Sequence, residues 1–135
     1  MKNLNINTGI KEYSINGDES KILRINTTDM NILSRISKAE KELKKIAESC
    51  NNVTEDKAIE MLSELDTKVR EQIDYIFDGK VSDIIFGNIN CISVAGGKPI
   101  FENFLDAVLP VIKEDISAEQ ENLNKKVNKY TSKVK

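Results

Sequence analysis

Gly96, Gly97 and Lys98 are the residues nearest to a phosphate cradle. In a loop of the form GxxxxGK[ST], glycines let backbone N–H groups approach an anion, the lysine neutralises it and the hydroxyl holds magnesium. Two required positions are wrong here, since Ile92 stands where the first glycine belongs and Pro99 where the hydroxyl belongs. The segment therefore reads as a turn, with Pro99 at the first position of a following helix.

Hydrolytic chemistry has equally little to work with. The chain contains no histidine, which removes Ser-His-Asp and Cys-His nucleophilic catalysis and the usual metal ligand, and no serine sits in a GxSxG setting. The adjacent acids Asp18-Glu19, Glu55-Asp56 and Glu114-Asp115 point in different directions if helical, so they read as caps and solvated charge. Asp78, Asp83 and Asn88 lack the regular alternation of a calcium loop. Cys50 and Cys91 form no CxxC pair and read as small buried hydrophobes of a reduced protein, a disulfide between them being the alternative. Asn26-Thr27-Thr28 and Asn52-Val53-Thr54 match the glycosylation pattern but read as helix caps. The expectation is a protein without catalytic residues, cofactor or metal.

Charge narrows the partners. Lysine and arginine number 20 against 22 acids in 135 residues, so no global field favours nucleic acid or a membrane surface. The five lysines of 125–135 are unaccompanied by any acid or by tryptophan, and they read as a basic helix end more than as a stacking platform for bases. No segment has the length and apolarity of a signal peptide or membrane span, and the expected location is the cytoplasm. Abundant lysine, isoleucine and asparagine suggest a low-GC genome.

Hydropathy patterning supplies the elements that must position any binding surface. Ile10, Tyr13, Ile15, Ile22 and Ile25 around Asn16-Gly17-Asp18 predict a β-hairpin over residues 1–27, with either a tight Asn-Gly turn or a longer loop through Ser20. Asn26-Thr27-Thr28-Asp29 offers caps for a helix from about Asp29 to Cys50, whose seam is Ile32, Ile36, Ala39, Leu43, Ile46 and Cys50. Asn51-Asn52 stops it. Thr54 caps a second helix reaching Phe77, with Ala58, Leu62, Leu65, Val69, Ile73 and Ile76 inward and Gly79 in the left-handed C-terminal position. The two fold back as an antiparallel pair over 28–78. Residues 79–99 read as a short helix, Val81–Phe86, and then strand or packed loop. An apolar stripe, Phe101, Phe104, Leu105, Val108, Ile112, Ile116, Leu123, Val127 and Tyr130, predicts a C-terminal helix over 100–128, kinked or broken at Pro110, before a basic tail at 129–135. The fold class is α+β, predominantly helical, in one domain.

The sharpest candidates for a partner surface are Phe101, Phe104, Leu105, Val108 and Ile112, because this stretch is apolar on too many faces for one small core. Core packing is the competing role of the same residues. Self-association is the other outcome such a surface invites.

Three segments carry a resemblance: GIKEYSINGD leading to RINTTD (residues 9–18 and 24–29), FGNINCISVAGGKPIFENFLDAV (86–108) and KKVNKYTSKVK (125–135). In these the chain resembles the tail assembly chaperone group of long-tailed phages and prophages of low-GC Gram-positive bacteria. The resemblance implies a non-enzymatic protein that binds the tape measure and tail-tube proteins during tail morphogenesis, in the cytoplasm of an infected or lysogenic host. It transfers no individual site residue. The competing functions are a phage-encoded inhibitor of a host enzyme or defence system, and a structural tail or head-completion protein.

Overall fold

The computed structural model describes the backbone over residues 1–49 and 55–134 and the side chains over 1–49 and 57–127. The fold is α+β and predominantly helical, opening on a two-stranded antiparallel hairpin, β1 (Ile10–Ile15) and β2 (Asp18–Asn26). Asn16 and Gly17 have φ of 52° and 73°, the pair of positive values that a two-residue hairpin turn matched to strand twist requires. The register then shifts, from Ile15 opposite Asp18 to Ser14 opposite Ile22. Asp18 Oδ1 accepts from the Ser20 amide at 2.9 Å and its hydroxyl at 2.6 Å, closing a local turn inside the strand. Both predicted connections therefore coexist, a tight Asn-Gly turn followed by a bulge through Ser20.

Strand period puts Leu23, Ile25 and Thr27 inward, all nearly or fully buried, while Ile22 and Arg24 face out. Thr27 is thus no helix cap, as the sequence suggested; its side chain belongs to the hairpin's inner face. Capping falls to its neighbours. Asn26 Oδ1 accepts from the Thr28 amide at 3.1 Å, and Asp29 Oδ1 accepts from the Asn31 amide at 3.0 Å, opening α1 (Asn31–Ser49).

The α1 seam is as the spacing predicts, with Ile32, Ala39, Leu43 and Ile46 buried and Ile36 half-buried. It packs on α2 (Glu55–Phe77). Arg35 near the start of α1 donates from Nε to the Ile76 carbonyl at the end of α2 (2.8 Å) and from Nη2 to Asp29 (3.1 Å), which locks the antiparallel pair at one end. Leu65, Val69, Ile73 and Ile76 face inward, but Leu62 is 44% exposed and Ala58 half-buried, because the inner face is covered only from Leu65 onward. Cys50, the Asn51-Asn52 stop and the Thr54 cap lie outside the described residues.

At the end of α2 the left-handed residue is Asp78, with φ of 52°, and Gly79 is the next residue along. The Gly79 amide reaches back to the Asp74 carbonyl at 3.1 Å, the closing bond of a Schellman ending. Aspartate tolerates that conformation because its short polar side chain can bond locally. Asp74 also accepts from the amides of Val81 (3.0 Å) and Ser82 (2.8 Å), so one α2 carboxylate starts α3 (Ser82–Phe86).

A loop then leads to a minimal hairpin, β3 (Val94–Ala95) and β4 (Lys98–Pro99), turned by Gly96 and Gly97 at φ of 64° and 83°. Pro99 closes β4 rather than opening the helix, and α4 runs from Ile100 to Val134. It continues through Pro110 without a break and through most of the segment expected to be a tail. Pro110 and Asp106 are both exposed, so the carbonyl left without its donor faces solvent instead of a buried void. Phe101, Val108 and Ile112 join the core with Phe86, Cys91 and Ile92. The stripe ceases to be core after half-buried Ile116: Leu123 is 62% exposed and Val127 52%.

Candidate functional site: an apolar groove between the hairpin and the C-terminal helix

An apolar concavity is built from two periodicities meeting. Along α4, Ile100, Asn103, Phe104, Ala107, Val108 and Val111 recur every three or four residues, on one helical face. Opposite them stand Tyr13 and Ile15 of β1 and Leu23 and Ile25 of β2, each pair at the spacing of one strand face. The groove between encloses about 350 Å³, with Ser14 and Asn16 at its rim. Its floor is formed by the buried side chains of Leu23, Ile25 and Val108.

The Phe104 wall is set from behind. Its ring meets Phe77 edge-on at 5.9 Å and Phe86 at 6.1 Å. Phe86 is in turn held beneath Arg70, whose guanidinium lies 5.7 Å from the ring centroid. Arg70 Nε donates to both Asp66 carboxylate oxygens (3.2 and 3.1 Å), Nη1 to Asp83 (2.8 Å) and Nη2 to the carbonyls of Gly87 and Ile89 (both 2.8 Å). One α2 side chain thereby fastens α3 and the loop after it. Burial alone would raise the Asp66 carboxyl, but the amide and thiol of Cys91 and then Arg70 hold it below the ordinary carboxylate range.

Asp115 fastens α4 to the hairpin. It accepts from the Tyr13 hydroxyl at 2.9 Å and from the Thr27 hydroxyl, with Lys11 Nζ 3.5 Å away. Chiefly through Thr27, then Tyr13 and Lys11, its carboxyl is held below 3.8, against the opposing effect of burial. A carboxyl more acidic in the folded than the unfolded state adds stability that is complete above the unfolded value and lost as pH falls through the folded one. Asp115→Ala should cost about 1–3 kcal/mol, because it removes the acceptor that the Tyr13 and Thr27 hydroxyls share and leaves them only their long contact with each other at 3.4 Å. In urea titrations across the acid range, the variant should also lose less stability than the wild type below pH 3.8.

The groove has binding geometry without reactive groups. The Asp115 carboxyl that Tyr13 bonds to is engaged and acidic, and Cys91 is a fully buried free thiol whose pKa is pushed up to about 12, first by burial and then by Asp66. Among the described residues, no three histidine, cysteine, aspartate or glutamate side chains form a metal-holding group. Asp83, a sequence candidate for cation binding, pairs with Arg70. No helix among the described residues is long and apolar enough to cross a membrane.

Of the five candidate partner residues, Phe104 and Val108 line the groove. Phe101 and Ile112 are 2% and 1% exposed and have no surface to offer, and half-buried Leu105 packs against the core beside the groove. Sequence reasoning missed Ala107, which is exposed in the groove, and the entire hairpin wall. The alternation of Tyr13 and Ile15 was the available signal for that wall, but nothing local indicates that it faces α4.

The model of a family described as "Family of unknown function (DUF6673)" matches residues 17–135. The chain belongs to this family. The matched stretch contains β2 and the α4 face of the groove, together with Arg70, Asp66 and Asp115, while β1 precedes it. No curated protein and no solved structure gives a significant match to this DUF6673 member.

Proposed function

We propose that this DUF6673 protein is a non-enzymatic phage tail assembly chaperone, binding the tape measure protein, and with it the tail-tube proteins, in the cytoplasm of an infected or lysogenic bacterium. The observation that carries the reading is the groove between the hairpin and α4: about 350 Å³, mostly apolar in lining, on a floor of buried Leu23, Ile25 and Val108. That volume suits two or three side-chain anchors of an amphipathic helix, the form in which a long helical partner presents itself. Covering such anchors during assembly shields them from aggregation. The resemblance of residues 86–108 to tail assembly chaperones supplies the identity of the partner.

Ala107→Glu tests this. Ala107 is exposed in the groove, so the variant should keep the wild-type circular dichroism and urea midpoint while losing co-purification with the tape measure protein. A well-folded Ala107→Glu that still binds would overturn the groove assignment. Affinity purification from phage-replicating cells, with mass spectrometry of eluate and virions, separates the competing functions. Tape measure protein in the eluate and this chain missing from virions is the expected result. A host enzyme in the eluate would make it an inhibitor, and presence in virions a structural component.

A further inference from the structure

Past the core, the second half of α4 leaves the apolar side chain of Leu123 exposed, in line with Leu109 and Ile116 on the same helix. Leu109, Ile116, Leu123 and Tyr130 recur at intervals of seven, the spacing that keeps one helix face toward a neighbouring helix. Leu109 and Ile116 are half-buried against the core, but every described side chain from Ser117 to Val127 is exposed. The backbone stays helical to Val134. Roughly five turns of helix thus carry the seam past the core.

Charge along this helix falls into two blocks of opposite sign. Residues 114–121 contain four acids and no base, and residues 125–135 contain five lysines and no acid, with Leu123 between the blocks. Two copies side by side in parallel would set acid on acid and lysine on lysine. Reversed about Leu123, Leu123 meets Leu123 and Glu121 meets Lys125 on both sides of the centre, with Lys126 of one copy within a turn of Glu119 of the other, while Lys133 falls opposite Lys113 at the far ends. The same reversal brings the sequence positions Ile116 and Tyr130 to one level. A second copy supplies both signs in mirrored order, which is the self-complementarity a two-fold interface requires.

We propose that the chain dimerises through the C-terminal half of α4, as an antiparallel helix pair centred on Leu123. Five turns of paired helix bury on the order of 1,000 Å² in total, the size of a weak, reversible interface, so the dimer is concentration-dependent. The proposal is independent of the groove and of its partner.

Sedimentation equilibrium of the full chain, from about 1 μM to about 1 mM at low and high salt, tests it. The expected result is a monomer–dimer equilibrium that weakens as salt rises, because opposite charges face one another. Leu123→Asp should weaken the dimer roughly a hundredfold, since one substitution places two carboxylates at the centre of the seam. Glu121→Lys and Lys125→Glu should each weaken it, and the double exchange should restore it. Circular dichroism on each variant separates lost pairing from lost helix, because Glu121 and Lys125 also lie four apart on one chain. A chain monomeric throughout, or a dimer indifferent to both Leu123→Asp and the single charge reversals, would overturn the proposal. A dimer strengthened by salt would overturn the antiparallel register.

Discussion

Phe101→Ala is expected to destabilise the fold by about 3–5 kcal/mol, the usual cost of removing a fully packed phenylalanine. The ring is 2% exposed, and the residue's amide donates to the Cys91 carbonyl at 3.0 Å, pinning the start of α4 to the loop behind it. Against a typical total of about 5–15 kcal/mol, such a loss consumes a large part of the margin. Urea titration of wild type and variant provides the measurement. The sequence alone allows the same phenylalanine to be a partner contact, in which case stability would change by less than about 1 kcal/mol and binding would fall. Phe101→Ala and Ala107→Glu should therefore behave oppositely, the first losing stability and the second losing partner.

Arg70→Ala is the second large effect, at about 3 kcal/mol. The guanidinium is 16% exposed and bonds to Asp66, Asp83, Gly87 and Ile89 together. Truncation leaves the Asp66 carboxylate, itself 22% exposed, to the Cys91 amide without its cationic partner, and takes the Arg70 donor from two loop carbonyls. Arg70→Lys should recover less than half of the loss, because an ammonium cannot reach several acceptors in the fixed plane of the guanidinium. Amide exchange at Cys91 should quicken in both variants, since its acceptor Asp66 loses its anchor. Full recovery by lysine, or unchanged exchange at Cys91, would show that the bonds are incidental to the packing of Phe86. Arg70 and Phe104 should also couple in a double-mutant cycle, because Arg70 acts on Phe104 through Phe86.

Local order was legible in the chain because it is produced by neighbours in sequence. The Asn16-Gly17 turn, the seam of α1 and the inward face of α2 from Leu65 to Ile76 follow from residue type and a period of two or 3.6. The described ends of α1, α2 and α3 were readable to within a residue or two, whereas α4 runs on to Val134, six residues past the end expected at 128. Asp78 takes the left-handed position because its backbone is placed there by the Gly79–Asp74 closure, and glycine's greater freedom one residue later is left unused. Thr27 resembles a cap in sequence but is fully buried just past the end of β2, on the inward side that Leu23 and Ile25 define.

What the sequence by itself determined is the inventory of parts: a hairpin, two amphipathic helices, a long C-terminal helix with blocks of opposite charge, and no histidine with which to build common catalytic sites. The tertiary structure alone decided which of the apolar residues are core and which line a groove. Phe101 and Phe104 are equivalent in type and three positions apart, yet one is sealed and the other faces the hairpin. The hairpin reaches α4 through Tyr13 and Asp115, which are 102 positions apart in the chain. A helix period specifies that a face must be covered, but the covering element is chosen by shape and by the pairing of buried polar groups across the fold, and neither quantity is written in any local window of sequence.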